Sequence, residues 1–155
     1  MRATKDTNPK DAIAGDKLPM DLVPETLIIY TTLAMLEGAL KYGKYNWRAA
    51  GARASVYTGA IKRHLAKFND GQWADPKSGV PHIASIAASC AIILDAAHVG
   101  KLLDDRPPSV ETSQLVDALS KSVVALKKTF RGLSPHQHTI QDAKRDSRRK
   151  SKSKR

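Results

Sequence analysis

The chain has 155 residues, with 26 Lys and Arg against 15 Asp and Glu, a formal net charge of +11. That length admits one domain with an extension and hardly two separate cores. The longest uncharged run, Ile83 to Leu94 between His82 and Asp95, is 12 residues, well short of the roughly 20 that cross a bilayer, so no membrane partner is expected.

The opening residues, MRATKDTNPKD, carry no apolar stretch after their basic residues, so no secretory signal is expected and a cytoplasmic location follows. Cys90 is the single cysteine, which rules out an internal disulfide. Its apolar neighbours predict a buried, unreactive thiol. The positive charge is uneven: residues 1–108 hold 14 Lys and Arg against 11 acids, and residues 109–155 hold 12 against 4.

From the N-terminus, the polar, Pro- and Gly-punctuated residues from Asn8 to Leu22 read as an arm laid over the domain. The first helix is predicted from about Pro24 to Tyr42, with Gly43 to close it. Leu27, Ile28, Leu33, Ala34, Met35, Leu36, Ala39 and Leu40 cover it almost all round, which marks a central, buried helix. One small bundle does not cover so apolar a helix, so a homodimer or larger assembly is expected.

A second helix is predicted from about Ala54 to Asn69, with Tyr57, Ile61, His64, Leu65 and Phe68 on one stripe. A third runs from about Pro81 to Val99, burying Ile83, Ile86, Ala87, Cys90, Ile93, Leu94 and Ala97. A fourth begins after Ser109 as N-cap and carries Leu115, Val116, Leu119, Val123, Leu126 and Phe130. No segment alternates with period two, so no sheet is expected. The predicted fold is all-α: a compact bundle of about four helices over residues 1–108 and 109–131. Residues 132–155 form a basic tail whose end, QDAKRDSRRKSKSKR, lacks any large apolar residue and is expected to be disordered.

Several polar residues interrupt this pattern. Glu37 and Lys41 are spaced as an ordinary i,i+4 surface pair. Glu37 is also the only acid between Glu25 and Asp70, so on a buried helix its carboxylate needs a cation or a metal. His64 lies on an apolar stripe, either as a satisfied core histidine or as part of a site with the neighbouring Arg63, whose fork suits phosphate. His82, Ser85 and Ser89 make a polar stripe, with serines that either serve a site or bond their own backbone. Asp70, Asp75 and His82 bracket a loop ending in Ser78-Gly79, a donor set suited to a hard divalent cation that also takes phosphate and water. Trp47 and Trp73 either plug the end of the bundle or stack on a base.

In order, NPKDAIAGDKLPMDLVP, EGALKYGKYNWR, RHLAKFNDG and DPKSGVPHIA resemble the phage dATP/dGTP diphosphohydrolase N-terminal domain family over about residues 8–108. The resemblance implies a MazG-like helical enzyme, in a host cytoplasm, that uses Mg²⁺ or Mn²⁺ to cut a purine deoxynucleoside triphosphate to monophosphate and pyrophosphate. It implies Glu37, Asp75 and His82 at the metal, with Asp70 beside them. Lys41, Arg48 and Arg63 meet phosphate, and Tyr42, Asn46 and Trp47 form the sugar or base pocket, with His64 in a supporting catalytic role. Ser85 and Ser89 stand where the family pattern has a second histidine and an amide residue. They leave open a second reading, a nucleotide- or nucleic-acid-binding protein that keeps the pocket without the chemistry. The tail is expected to touch nucleic acid nonspecifically by charge.

Overall fold

The computed structural model describes residue 10, residues 17–142 and residue 145. The chain divides into two compact units, one ending at Asp104 and one starting at Asp105. Most of the expected N-terminal arm, and residues 143, 144 and 146–155 of the basic tail, lie outside the described residues.

In the first unit, a 3-10 turn at Met20–Leu22 leads to α1, Glu25–Tyr42. Pro24 precedes α1 in extended geometry, and Gly43, at φ 88°, ends it, a conformation that favours glycine. Next come α2 (Asn46–Ala50), the strand β1 (Ala52–Arg53) and α3 (Ala54–Asn69). They are followed by α4 (His82–His98) and the strand β2 (Leu102–Leu103). The second unit contains α5, Thr112–Thr129. The long helices fall where periodicity places them, α3 to the residue. The fourth starts later than Ser109, because Glu111 takes a left-handed φ of 52°.

Two features correct the sequence expectation. Ala52 and Arg53 pair in parallel with Leu102 and Leu103, a ladder too short to show alternation. Residues 46–50, expected as loop, form α2, which carries Trp47 inward.

The packing inverts the expected order of burial. The central helix is α4, which packs against α1, α3, α2 and both strands. Its buried residues are His82 and the small Ala84, Ala88, Ser89 and Ala96, a set of small side chains that lets neighbouring helices approach. No residue of the predicted stripe is fully buried: Ile86, Ala87 and Ile93 are half-buried, Leu94 is 71% exposed, and Cys90, expected to be buried, is exposed. On α1 only Ala34 is buried, while Leu27, Ile28, Leu33, Leu36 and Leu40 are 44–80% exposed. The expectation of a buried α1 therefore fails within one chain. In α5, every residue of the apolar stripe is likewise exposed.

Trp47, Asp95 and Arg48 join α2 to α4. The Trp47 Nε1–H donates to Asp95 Oδ2 at 2.5 Å, and Arg48 donates from Nε to Oδ2 at 2.8 Å and from Nη2 to Oδ1 at 2.7 Å. The hydrogen bond from Arg48, then that from Trp47, lowers the Asp95 carboxyl from 3.8 to about 2. A group depressed on folding stabilises fully above its unfolded value, and that stabilisation is lost as pH falls through its folded value. The melting temperature is therefore expected to drop as pH falls from about 4 to about 2. In Arg48→Met the slope of melting temperature against pH should be shallower. An identical slope in both proteins would exclude the Arg48–Asp95 pair as its source.

Candidate functional site

A cavity of about 510 Å³ opens between α1, α2, α3 and α4, within the size range of small-molecule pockets. Helix α1 contributes Glu37, Gly38, Lys41 and Tyr42, and α2 contributes Asn46 and Trp47. Helix α3 adds Tyr57, Arg63 and His64, and α4 adds Ser85 and Ser89. Nine residues singled out in the sequence thus line one cavity: Glu37, Lys41, Tyr42, Asn46, Trp47, Arg63, His64, Ser85 and Ser89.

Glu37 and Lys41 are one turn apart, with the Lys41 Nζ donating to Glu37 Oε1 at 2.5 Å. That bond raises the Lys41 pKa, so the ammonium is retained. Arg63 lies over Gly59, where an added Cβ would come within 3.3 Å of the guanidinium Nη1; the missing side chain makes room for it. Tyr42 is 70% exposed at the mouth, whereas Trp47 is 7% exposed. Trp47 is thus a plug as well as a wall. Trp73 is 61% exposed, with its ring 6.2 Å from that of Phe68.

His64 belongs to a chain of hydrogen bonds. Its Nδ1 lies 2.9 Å from His82 Nδ1, and His82 Nε2 lies 2.9 Å from Gln72 Oε1. An amide oxygen only accepts, so His82 donates from Nε2 and, with both rings neutral, receives the His64 Nδ1–H on its own Nδ1. Nε2 of His64 is left as an acceptor. Burial, then the charge of His82, lowers the His64 pKa, favouring that neutral form at pH 7.

The remaining predicted residues lie elsewhere. Arg48 is engaged by Asp95 and stacks over Tyr45, 4.7 Å from the ring centroid. His82 is fully buried with both ring nitrogens bonded. Asp75 Oδ1 accepts the backbone N–H groups of Lys77 and Ser78, while Oδ2 lies 3.8 Å from Lys67 Nζ. Those two backbone bonds hold its carboxyl below the usual range. Asp70 is exposed on the same connection. Neither aspartate lines the cavity, and among the described residues Glu37, Asp70, Asp75 and His82 do not converge as a set of three donors. Ser89 is buried and donates to the Ser85 carbonyl at 2.9 Å, the local backbone bond open to a helical serine.

Sequence reasoning missed Gln72, Asp95 and the role of Gly59. Asp95 did leave a signal, as the one charged residue in the run from Ile83 to Ala97. Gln72 left none.

The family described as dATP/dGTP diphosphohydrolase, N-terminal, matches residues 7–106, a span that contains the whole cavity. No curated protein and no solved structure matches the chain. With about two thirds of its length inside that match, the chain belongs to the dATP/dGTP diphosphohydrolase N-terminal domain family.

Proposed function

We propose that the chain hydrolyses purine deoxynucleoside triphosphates, dATP and dGTP, to monophosphate and pyrophosphate. The observation that carries this reading is the meeting of Glu37, Lys41, Arg63, His64 and Asn46 in one cavity. Lys41 and Arg63 bind the phosphate chain and stabilise charge on the departing pyrophosphate. Asn46 offers a donor and an acceptor to the nucleoside, with Tyr42 and Trp47 as its aromatic walls. His64, through its free Nε2, accepts a proton from the attacking water.

Of the candidate metal ligands, Glu37 faces the cavity. One carboxylate with substrate phosphates is a donor set that Mg²⁺ accepts, so the residues fit a cation that arrives with the nucleotide. Bound there, Mg²⁺ or Mn²⁺ supplies charge neutralisation and an acidified water. Incubating the protein with each dNTP and either cation, then resolving monophosphate from triphosphate, tests the reading directly. The single cavity carboxylate favours one alternative, a binding protein without turnover. Saturable dATP binding with no monophosphate formed would select it.

Two associations accompany this proposal. The exposed Leu and Ile face of α1 supports self-association through a second copy, which sedimentation at graded concentrations would detect. The tail from Gln141, with eight Lys and Arg against Asp142 and Asp146, supports nonspecific contact with nucleic acid. DNA binding is expected to weaken steeply with salt in the full chain and to vanish in a chain ending at Ile140. Equal binding by both would move the contact onto the helices.

A further inference from the structure

The second unit carries a cluster that the nucleotide reading does not use. His136, His138 and Asp142 each offer one donor atom, and all three atoms lie within 4.8 Å of one another. His136 Nε2 is 3.5 Å from Asp142 Oδ2, and the two imidazoles meet edge to face with centroids 4.6 Å apart. The local chain builds this arrangement. The histidines are two residues apart and outside any helix, and a helical turn from Ile140 then brings Asp142 back towards them. Its Oδ2 accepts the Thr139 backbone N–H at 2.7 Å and the Thr139 hydroxyl at 3.1 Å, while the Asp142 N–H donates to the Thr139 carbonyl at 3.1 Å.

We infer that His136, His138 and Asp142 form a binding site for a borderline divalent cation of the zinc type. Two imidazoles and one carboxylate suit Zn²⁺ and disfavour hard, oxygen-seeking Mg²⁺ or Ca²⁺. With metal–ligand bonds of about 2.0–2.2 Å, tetrahedral ligands lie roughly 3.4 Å apart. The His136–Asp142 pair already has this separation, and the exposed His138 reaches it by side-chain rotation. The Thr139 bonds to Asp142 act as outer-sphere support of the kind that orients a ligating carboxylate. Three protein ligands leave a fourth position for water. The bound cation would join residues on both sides of Thr139, fixing the turn from which the basic tail departs.

The test is calorimetric titration of the chelator-stripped full chain with ZnCl₂, without nucleotide, so that its result is independent of the hydrolase reading. One equivalent is expected to bind with micromolar or tighter affinity. Substituting His136→Ala, His138→Ala or Asp142→Asn should each weaken it by about tenfold or more. His98→Ala and Cys90→Ser, which alter other potential ligands, should leave it unchanged. Cobalt(II) should give the visible absorption of a four-coordinate site in the wild-type chain and lose it in His136→Ala/His138→Ala. Because the histidines lie outside any helix and Asp142 lies in a short helical turn apart from α5, circular dichroism should be nearly the same for every variant. No saturable binding, or binding that survives the double substitution, would overturn the proposal.

Discussion

Replacing Trp47 by alanine is expected to destabilise the first unit by about 3–5 kcal/mol, the cost of deleting a large core side chain. Among the described residues the buried apolar side chains, Pro81 apart, are Trp47, Val80 and six alanines, so the substitution removes the one large side chain in that set. It also leaves Asp95 without the indole N–H that donates to it at 2.5 Å. Against a total stability of about 5–15 kcal/mol, the melting temperature should fall by more than about 10 °C. Trp47→Phe, which keeps a ring but not the donor, should fall between. Denaturant melts of the three proteins decide the matter. A near-normal melt combined with lost nucleotide binding would return the ring to a purely ligand-facing role.

Glu37→Gln is expected to reduce dNTP turnover by at least about 100-fold while leaving the melt nearly unchanged, since Glu37 is partly exposed on α1. The amide preserves shape and hydrogen bonding but loses the charge a hard cation requires. Lys41→Met removes the other half of the pair and should raise KM or slow pyrophosphate release, with metal dependence intact. Were Glu37 only a partner for Lys41, both substitutions would have the same small effect. The measurement is the Mg²⁺ or Mn²⁺ concentration giving half-maximal hydrolysis in all three proteins. An active Glu37→Gln protein with wild-type metal dependence would remove Glu37 from the site.

What was legible in the sequence was mostly local. Gly43 and Pro81 punctuate the chain strongly enough to bound α1 and α4, and the stripe from Tyr57 to Phe68 defines α3 because its polar residues fall off one face. Glu37, Lys41, Tyr42, Asn46 and Trp47 lie within eleven residues of one another, so α1 and the start of the short α2 after it bring them together. Arg48 illustrates the limit. Beside Asn46 and Trp47 it reads as another phosphate ligand, but Asp95 claims it across 47 positions, a pairing no local pattern reveals. Gln72 with His82 is a similar case, and the amide turns an apparent metal ligand into a buried link behind His64. Burial misleads for another reason. Periodicity reports which side chains avoid water, without saying which neighbour excludes it. On α4 the small residues meet the rest of the same chain, while Leu94 on the larger stripe stays exposed.

The two-residue pairing of β1 with β2 also governs when the unit can fold. Gly51, at φ 88°, comes so near the Lys101 carbonyl that a Cβ there would lie 3.1 Å from it, and the Ala52 N–H donates to that same oxygen at 2.9 Å. This closes a loop of about fifty residues at an entropic cost of roughly 3.5 kcal/mol, far from the short-range contacts that let helical proteins fold fastest. During synthesis α1 and α3 emerge long before Leu102 and Leu103 can seal the join. A chain ending at Gly100 should therefore remain open and prone to aggregate, whereas one ending at Asp104 should fold. The join of β1 to β2 is thus the last contact this unit can make as it is synthesised, an order fixed by the place of two residues in the chain.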